Sequence, residues 1–205
     1  MSAPNVLIVF YSRNGSTEKL ALAVAEGARA EGAEVRIRRV RDFVPEEIIQ
    51  RVPGWAENRD RMYALYEAPT EADVEWADAI VFGTPTRFGN VSAELKAFVD
   101  SLGGLWFQGK LNGKVGSAFN STQTTHGGNE STNLSMYNFM AHLGLIIVPT
   151  GYADPVMFQG GTPYGATHIS GPQGNPPGEN ALAAARFQGR RVTQVARALK
   201  AAKIG

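Results

Sequence analysis

The chain has 205 residues, of which 43% are hydrophobic and 19% are charged, a composition that predicts one well-buried globular domain or at most two small ones. Its 20 basic and 19 acidic residues leave a net charge of +1, which excludes bulk attraction to nucleic acid or to an anionic membrane. The absence of cysteine excludes disulfides, thiolate metal sites and cysteine nucleophiles, so any redox chemistry would need a cofactor.

The N-terminal residues show no targeting pattern. No basic segment precedes the apolar run Val6–Tyr11, and no stretch approaches the about 18 apolar residues of a membrane helix. We therefore expect a cytoplasmic protein without a signal peptide or membrane insertion, and we predict no metal site.

Five short runs rich in Val and Ile predict strands, and segments with helical spacing separate most of them. The runs are Val6–Tyr11, Val35–Ile37, Ala79–Gly83, Val115–Asn120 and Leu145–Thr150. This alternation predicts a doubly wound α/β fold, in which a five-stranded parallel sheet carries helices on both faces.

The segments between the runs predict helices and two longer connections. After the first strand, small and apolar residues recur at i, i+3, i+4 and i+7 from Leu20 to Gly27, which is typical of a crossover helix. Further helices are predicted over Pro45–Val52, Thr70–Trp76, Ser92–Leu102 and about Glu179–Ala201. Arg51–Tyr66 is interpreted as a polar, Arg-rich loop. The glycines and prolines of Gly160–Gly178 predict no regular structure, and this segment is either a surface linker or a functional loop.

A hydroxyl-rich turn, Ser12–Thr17, follows the first predicted strand. Ser12, Ser16 and Thr17 offer hydroxyls, Gly15 permits a positive φ, and the N–H groups that open the next helix favour an anion. The chain has no G-x-x-x-x-G-K-[ST] motif and no G-x-G-x-x-G motif after this strand. A compact monophosphate is therefore favoured, while the turn alone is equally compatible with Ser16 as a plain N-cap.

Two further loops follow the third and fourth predicted strands. They are "FGTPTRFGN" (Phe82–Asn90) and "FNSTQTTHGGNE" (Phe119–Glu130). Ligands of doubly wound sheets bind outside the carboxyl ends of the strands. Gly83 and Gly89 would let the backbone approach a flat ligand, and Arg87 would supply a cation near it. Together with the first turn, these loops predict a cradle at one edge of the sheet.

These motifs resemble the WrbA-type flavoproteins, which are FMN-dependent NAD(P)H:quinone oxidoreductases of flavodoxin-like fold. The resemblance covers nearly the whole chain and rests on "VLIVFYS", "AVAEGA", "GAEV", "FGTPTRFGN", "GGLW", "AHLG" and "GGTPYGAT". It implies a single flavodoxin-like domain over residues 1–205, noncovalent FMN, NAD(P)H as co-substrate and a homotetramer. Asn14 and Ser16 stand where the family commonly has an aromatic residue and a histidine. The third loop is one residue longer here, with His126 near the extra position.

Matching positions assign the site residues that the resemblance implies. FMN would be bound by Ser12, Arg13, Asn14, Gly15, Ser16, Thr17, Pro85, Thr86, Arg87, Phe88, Gly89, Ser121, Thr122, Gln123, Thr124, Gly127, Gly128 and His142. Arg87 and His142 would be the catalytic residues, which stabilise the anionic flavin or protonate the quinol oxygen. Trp106, Phe88 and Asn14 would lie on the substrate side.

Three functions are compatible with a flavin cradle. Electron-carrier flavodoxins are short and strongly acidic, whereas this chain is nearly neutral and has extra segments at 51–66 and 160–178. An FMN-binding regulatory module would need no aromatic wall for a substrate. We therefore predict a two-electron quinone reductase with a ping-pong mechanism, in which NAD(P)H and a quinone use one pocket in turn.

Overall fold

Strands and helices alternate along residues 3–203, the part of the chain that the computed structural model describes. The strands are β1 (Asn5–Phe10), β2 (Glu34–Arg39), β3 (Ala79–Pro85), β4 (Val115–Thr122), β5 (Ile146–Ile147) and β6 (Thr167–Ile169). The α-helices are α1 (Ser16–Ala30), α2 (Glu46–Arg51), α3 (Trp55–Leu65), α4 (Glu71–Trp76), α5 (Ala93–Ser101), α6 (Gly103–Phe107), α7 (Asn129–His142) and α8 (Glu179–Ala202). A 3₁₀ turn covers Pro155–Phe158.

The strands form one parallel sheet in the order β2-β1-β3-β4-β5. The predicted doubly wound fold with five parallel strands is confirmed, although β5 pairs with β4 only through Ile146 and Ile147. A sixth strand, β6, pairs in parallel with the carboxyl end of β4, where Ser121 lies opposite His168. The sheet therefore extends further at its carboxyl edge, where the predicted cradle lies.

Helices cover both faces of the sheet because side chains alternate along the buried strands. In β1, Ile8 and the residues two positions before and after it face the core under α1 and α8. Val9 faces the core on the other side of the sheet, under α4, α5 and α7. Gly27 and Gly189 allow α1 and α8 to touch, because a Cβ on Gly27 would lie 1.9 Å from the Arg186 carbonyl oxygen. Among residues 3–203, no helix has the length and apolar character needed to cross a membrane.

Two predictions about connections were wrong. Within Gly160–Gly178, the residues Thr167–Ile169 form β6, because this short segment, which contains the β-branched Thr167 and Ile169, reaches the free end of β4. The predicted loop Arg51–Tyr66 contains α3, a helix with only Trp55 and Met62 buried. Helical periodicity was weak there because few residues of α3 are buried, and polar contacts of Arg61 and Tyr63 attach the helix to the domain.

Candidate cofactor site

The turn after β1 holds the N-terminus of α1 open toward solvent. Gly15 is the N-cap residue, with φ 90° and no side-chain cap, and its N–H donates to the Ser12 hydroxyl over 3.0 Å. The Lys19 N–H makes the first bond within the helix, to the Gly15 carbonyl oxygen. The preceding N–H groups of the first turn therefore point out of the helix. The alternative of Ser16 as N-cap is wrong, because Ser16 is already the first helical residue.

The ends of β3 and β4 wall the space in front of this turn. The Thr86 N–H donates to the Ser121 carbonyl oxygen over 2.8 Å, and the hydroxyls of Ser121 and Thr17 are also 2.8 Å apart. The resulting cavity has about 450 Å³ and is lined by Ser12, Arg13, Asn14, Ser16, Thr17, Pro85, Thr86, Arg87, Ser121, Thr122, Gln123, Ser170, Pro172, Gln173 and Gly174. Its volume falls in the range of about 300–1,000 Å³ that small-molecule sites occupy.

The charges around this cavity favour an anion. Two arginines, Arg13 and Arg87, line it, and no acidic side chain does among the described residues. An acid in the first turn of α1, Glu18, is buried and accepts hydrogen bonds from Arg61 over 2.8 Å and from the Tyr66 hydroxyl over 2.9 Å. These partners offset its charge, so the positive end of α1 faces the cavity.

A buried polar network holds the backbone of the turn from behind. Arg39 is fully buried and donates to the Ser12 carbonyl oxygen over 3.0 Å and to Asp42 over 2.8 Å. Asp42 also accepts hydrogen bonds from the Tyr11 and Tyr63 hydroxyls. Burial alone would raise the pKa of Asp42, but these hydrogen bonds and the Arg39 charge outweigh it and hold that pKa below its ordinary value. Sequence reasoning missed this network, whose one signal was an arginine at the end of a strand.

The loop after β3 and the loop after β4 touch through glycines. A Cβ on Gly128 would lie 2.7 Å from the Gly89 Cα atom, and Gly128 itself has φ 90°. The Thr132 hydroxyl donates to the Thr86 hydroxyl over 2.9 Å, which joins α7 to the loop after β3. Phe88 is fully exposed and has φ 54°, an uncommon conformation for a bulky residue that often marks a functional loop.

Several predicted site residues lie outside the cavity lining. Phe88, Gly89, Thr124, Gly127 and Gly128 belong to its surrounding loops, and Gly127 packs on the Thr122 side chain. Gly83 serves the core instead of a ligand, because the Phe119 ring fills the space where its Cβ would be.

Trp106 and His142 lie together at a separate place. The Trp106 indole N–H donates to the His142 carbonyl oxygen over 3.0 Å, and both residues line a groove of about 520 Å³ between α5, α6 and α7. His142 ends α7, whose 14 residues begin beside the cavity, so about 20 Å of helix separates it from that edge. The segment Gly160–Thr162 lines a third cavity of about 780 Å³.

The cavity residues fit a flavin mononucleotide. Outward N–H groups and the hydroxyls of Ser16 and Thr17 suit a phosphate monoester, and the close contact between Gly89 and Gly128 holds together the two loops beside the cavity. The four lining residues between Ser170 and Gly174 were not predicted individually. Their signal was the glycine- and proline-rich composition of that segment, for which a functional loop was one alternative.

The fold and this cavity define a flavodoxin-like protein whose strand-to-helix turn after β1 opens onto the cavity. The family described as NADPH-dependent FMN reductase matches residues 5–155, and the chain belongs to that family. A protein of Methylocella silvestris named NAD(P)H dehydrogenase (quinone) is 47% identical over 203 residues, with 95% of this chain and 98% of that protein covered. A protein of the same name from Deinococcus radiodurans is 44% identical, with 95% and 97% covered.

The solved structures agree with this assignment. The crystal structure of a WrbA-like flavodoxin from Agrobacterium tumefaciens superimposes with a TM-score of 0.68 and 26% identity, over 96% of this chain and 99% of that one. The resemblance to WrbA-type proteins and the flavodoxin-like fold are therefore confirmed.

Proposed function

We propose that the protein is an FMN-dependent NAD(P)H:quinone oxidoreductase that reduces quinones to quinols by two electrons. FMN, when bound, supplies the redox chemistry that this cysteine-free chain lacks. Family membership supports the cofactor, and the relatives of 44–47% identity that are named NAD(P)H dehydrogenase (quinone) support the two substrates.

The observation that carries the proposal is the convergence of three loops on one cavity. The ends of β1, β3 and β4 each contribute lining residues to the same 450 Å³ space. The Thr17–Ser121 and Thr86–Ser121 hydrogen bonds fix these ends relative to one another. Such a preorganised cavity holds a cofactor in one orientation, which is the protein's contribution in flavin chemistry.

Within the cavity, the polar residues have distinct roles in the proposal. Ser12, Ser16, Thr17 and the first turn of α1 hold the phosphate. Arg87 lies on the wall formed by the loop after β3, where its Nη1 donates to the Thr86 carbonyl oxygen over 3.0 Å. The guanidinium of Arg87 is positively charged, so it attracts negative charge that develops beside it.

Trp106 and His142 act in the proposal through a second copy of the chain. Within one chain they lie away from the cavity, whereas Phe88 beside the cavity is fully exposed and Trp106 is 53% exposed. A homotetramer, which the resemblance implies, can bring one copy's Trp106 and His142 against another copy's cavity. The Trp106 ring would then wall a planar substrate, and the His142 imidazole would donate a proton to the quinol oxygen. A cytoplasmic location and a single domain over residues 1–205 complete the proposal.

Steady-state kinetics test this function. If NAD(P)H and quinone use one site in turn, double-reciprocal plots at several fixed benzoquinone concentrations are parallel, and high quinone inhibits competitively against NAD(P)H. Intersecting plots would contradict the shared site. Fast reduction of cytochrome c without added quinone would instead favour an electron carrier.

A further inference from the structure

The turn Ser170–Asn175 borders the cavity but has no role in the site described so far. Four of its residues line the same space as the turn after β1. Its ends meet through a 2.8 Å bond from the Asn175 N–H to the Ser170 carbonyl oxygen, and the Gly174 N–H bonds to the Gly171 carbonyl oxygen. The turn is therefore a hydrogen-bonded structural element and not an irregular linker.

Two bonds fix this turn to the sheet. The Ser170 N–H donates to the Thr122 carbonyl oxygen over 2.9 Å, which continues the pairing of β6 with β4. At the other end, Nε2 of the buried His168 lies 2.8 Å from the Asn175 carbonyl oxygen. A carbonyl oxygen can only accept, so Nε2 carries the proton of this bond. His168 thus holds the far end of the turn in place.

The path of the chain places this turn at the phosphate end of the cavity. His168 lies opposite Ser121, and the Ser121 hydroxyl contacts Thr17 in the first turn of α1. After the turn, the chain enters α8, which packs along α1 on the same face of the sheet. The turn therefore crosses toward the face from which the N-terminus of α1 points into the cavity, on the side away from the groove of Trp106.

We propose that the Ser170–Asn175 turn, held by His168, is a second wall of the phosphate site. The turn borders the phosphate of FMN on the side opposite the N-terminus of α1, and it slows the release of FMN. The Gln173 side chain is exposed and lines the cavity, so its amide is available to donate to a phosphate oxygen. This inference rests on the proposed function, because the ligand it concerns is the phosphate of FMN.

The first test measures the release of FMN from reconstituted protein by the recovery of flavin fluorescence, with riboflavin as the phosphate-free comparison. His168→Ala removes the donor to Asn175 and should speed FMN release about fivefold to tenfold. Riboflavin release should stay unchanged. His168→Gln restores a donor and should recover slow release.

A second variant avoids any effect of the buried histidine on folding. Gln173→Glu places a carboxylate at the proposed wall and should weaken FMN about tenfold while leaving riboflavin affinity unchanged. Gln159→Glu, at another exposed glutamine, adds the same charge elsewhere and should have no such effect.

Unchanged FMN affinity in Gln173→Glu, or equal losses for FMN and riboflavin, would overturn the role of the turn. If the unaltered protein binds FMN normally in that experiment, the proposed function stands. If the unaltered protein does not bind FMN, both proposals fail.

Discussion

The proposed phosphate site makes a quantitative prediction for the double variant Ser16→Ala and Thr17→Ala. Ser16 lines the cavity as the first residue of α1, and Thr17 contacts Ser121 through its hydroxyl. A hydrogen bond to a charged group contributes about 1.5–3 kcal/mol. Loss of two such bonds therefore weakens FMN by roughly 3–6 kcal/mol before any compensation by water, and we expect at least about a hundredfold rise in Kd.

The comparison with riboflavin isolates the phosphate. Riboflavin lacks the phosphate group, so its binding free energy in the variant should fall only by the structural effect of losing the Thr17–Ser121 bond, about 1 kcal/mol. Both dissociation constants can be measured by quenching of flavin fluorescence. Thr125→Ala, which removes a hydroxyl outside the cavity lining, serves as control. Equal losses for FMN and riboflavin would refute the assignment of this turn to the phosphate.

Three further predictions concern the backbone, the buried network and the co-substrate. Gly128→Ala should lower stability by about 2 kcal/mol and weaken FMN, because φ is 90° and the new Cβ would meet Gly89; thermal unfolding and FMN binding without change would contradict this contact. Asp42→Asn should lower the free energy of unfolding by about 3–5 kcal/mol at neutral pH, because it leaves Arg39 without its buried partner. A loss of less than about 1 kcal/mol in urea unfolding would refute this role of Asp42. Asn14→Tyr should lower the KM for NAD(P)H and leave that for quinone nearly unchanged; an unaltered KM would remove Asn14 from the co-substrate site.

The lowered pKa of Asp42 also fixes the sign of a pH dependence. Its folded pKa lies below the unfolded value of about 3.9. The stability it contributes is therefore fully present above that unfolded value and is lost as pH falls through the folded pKa. Urea unfolding at several pH values should show a smaller acid loss in Asp42→Asn than in the unaltered protein, and parallel losses would contradict this linkage.

The sequence predicted those parts of the fold that local pattern determines. Alternating apolar runs and helical spacing placed β1, β3, β4, α1 and α8, because burial of one face dictates the identity of each residue there. The three loops at the carboxyl edge followed from their position after strands. Gly15 and Gly128 illustrate the local signal, since each adopts φ 90° at the start of a helix.

Features that depend on distant partners could not be predicted in this way. β6 forms because β4 extends beyond β5 and leaves a free edge there. The sequence of Gly160–Gly178 carries no information about that edge. Arg39 reaches Ser12 across 27 positions of sequence, and α3 is held by polar contacts to Asp42 and Glu18. Trp106 likewise lies away from the cavity because it bonds to His142 at the far end of α7. No sequence motif carries that distance.

Stopped-flow absorbance of the FMN-loaded protein tests the central claim most directly. Under anaerobic conditions, one equivalent of NAD(P)H should bleach the flavin absorbance, and one equivalent of benzoquinone should then restore it in a single phase without release of a free quinone radical. Failure of NAD(P)H to bleach the flavin, or restoration that proceeds only with a one-electron acceptor, would contradict an NAD(P)H:quinone oxidoreductase.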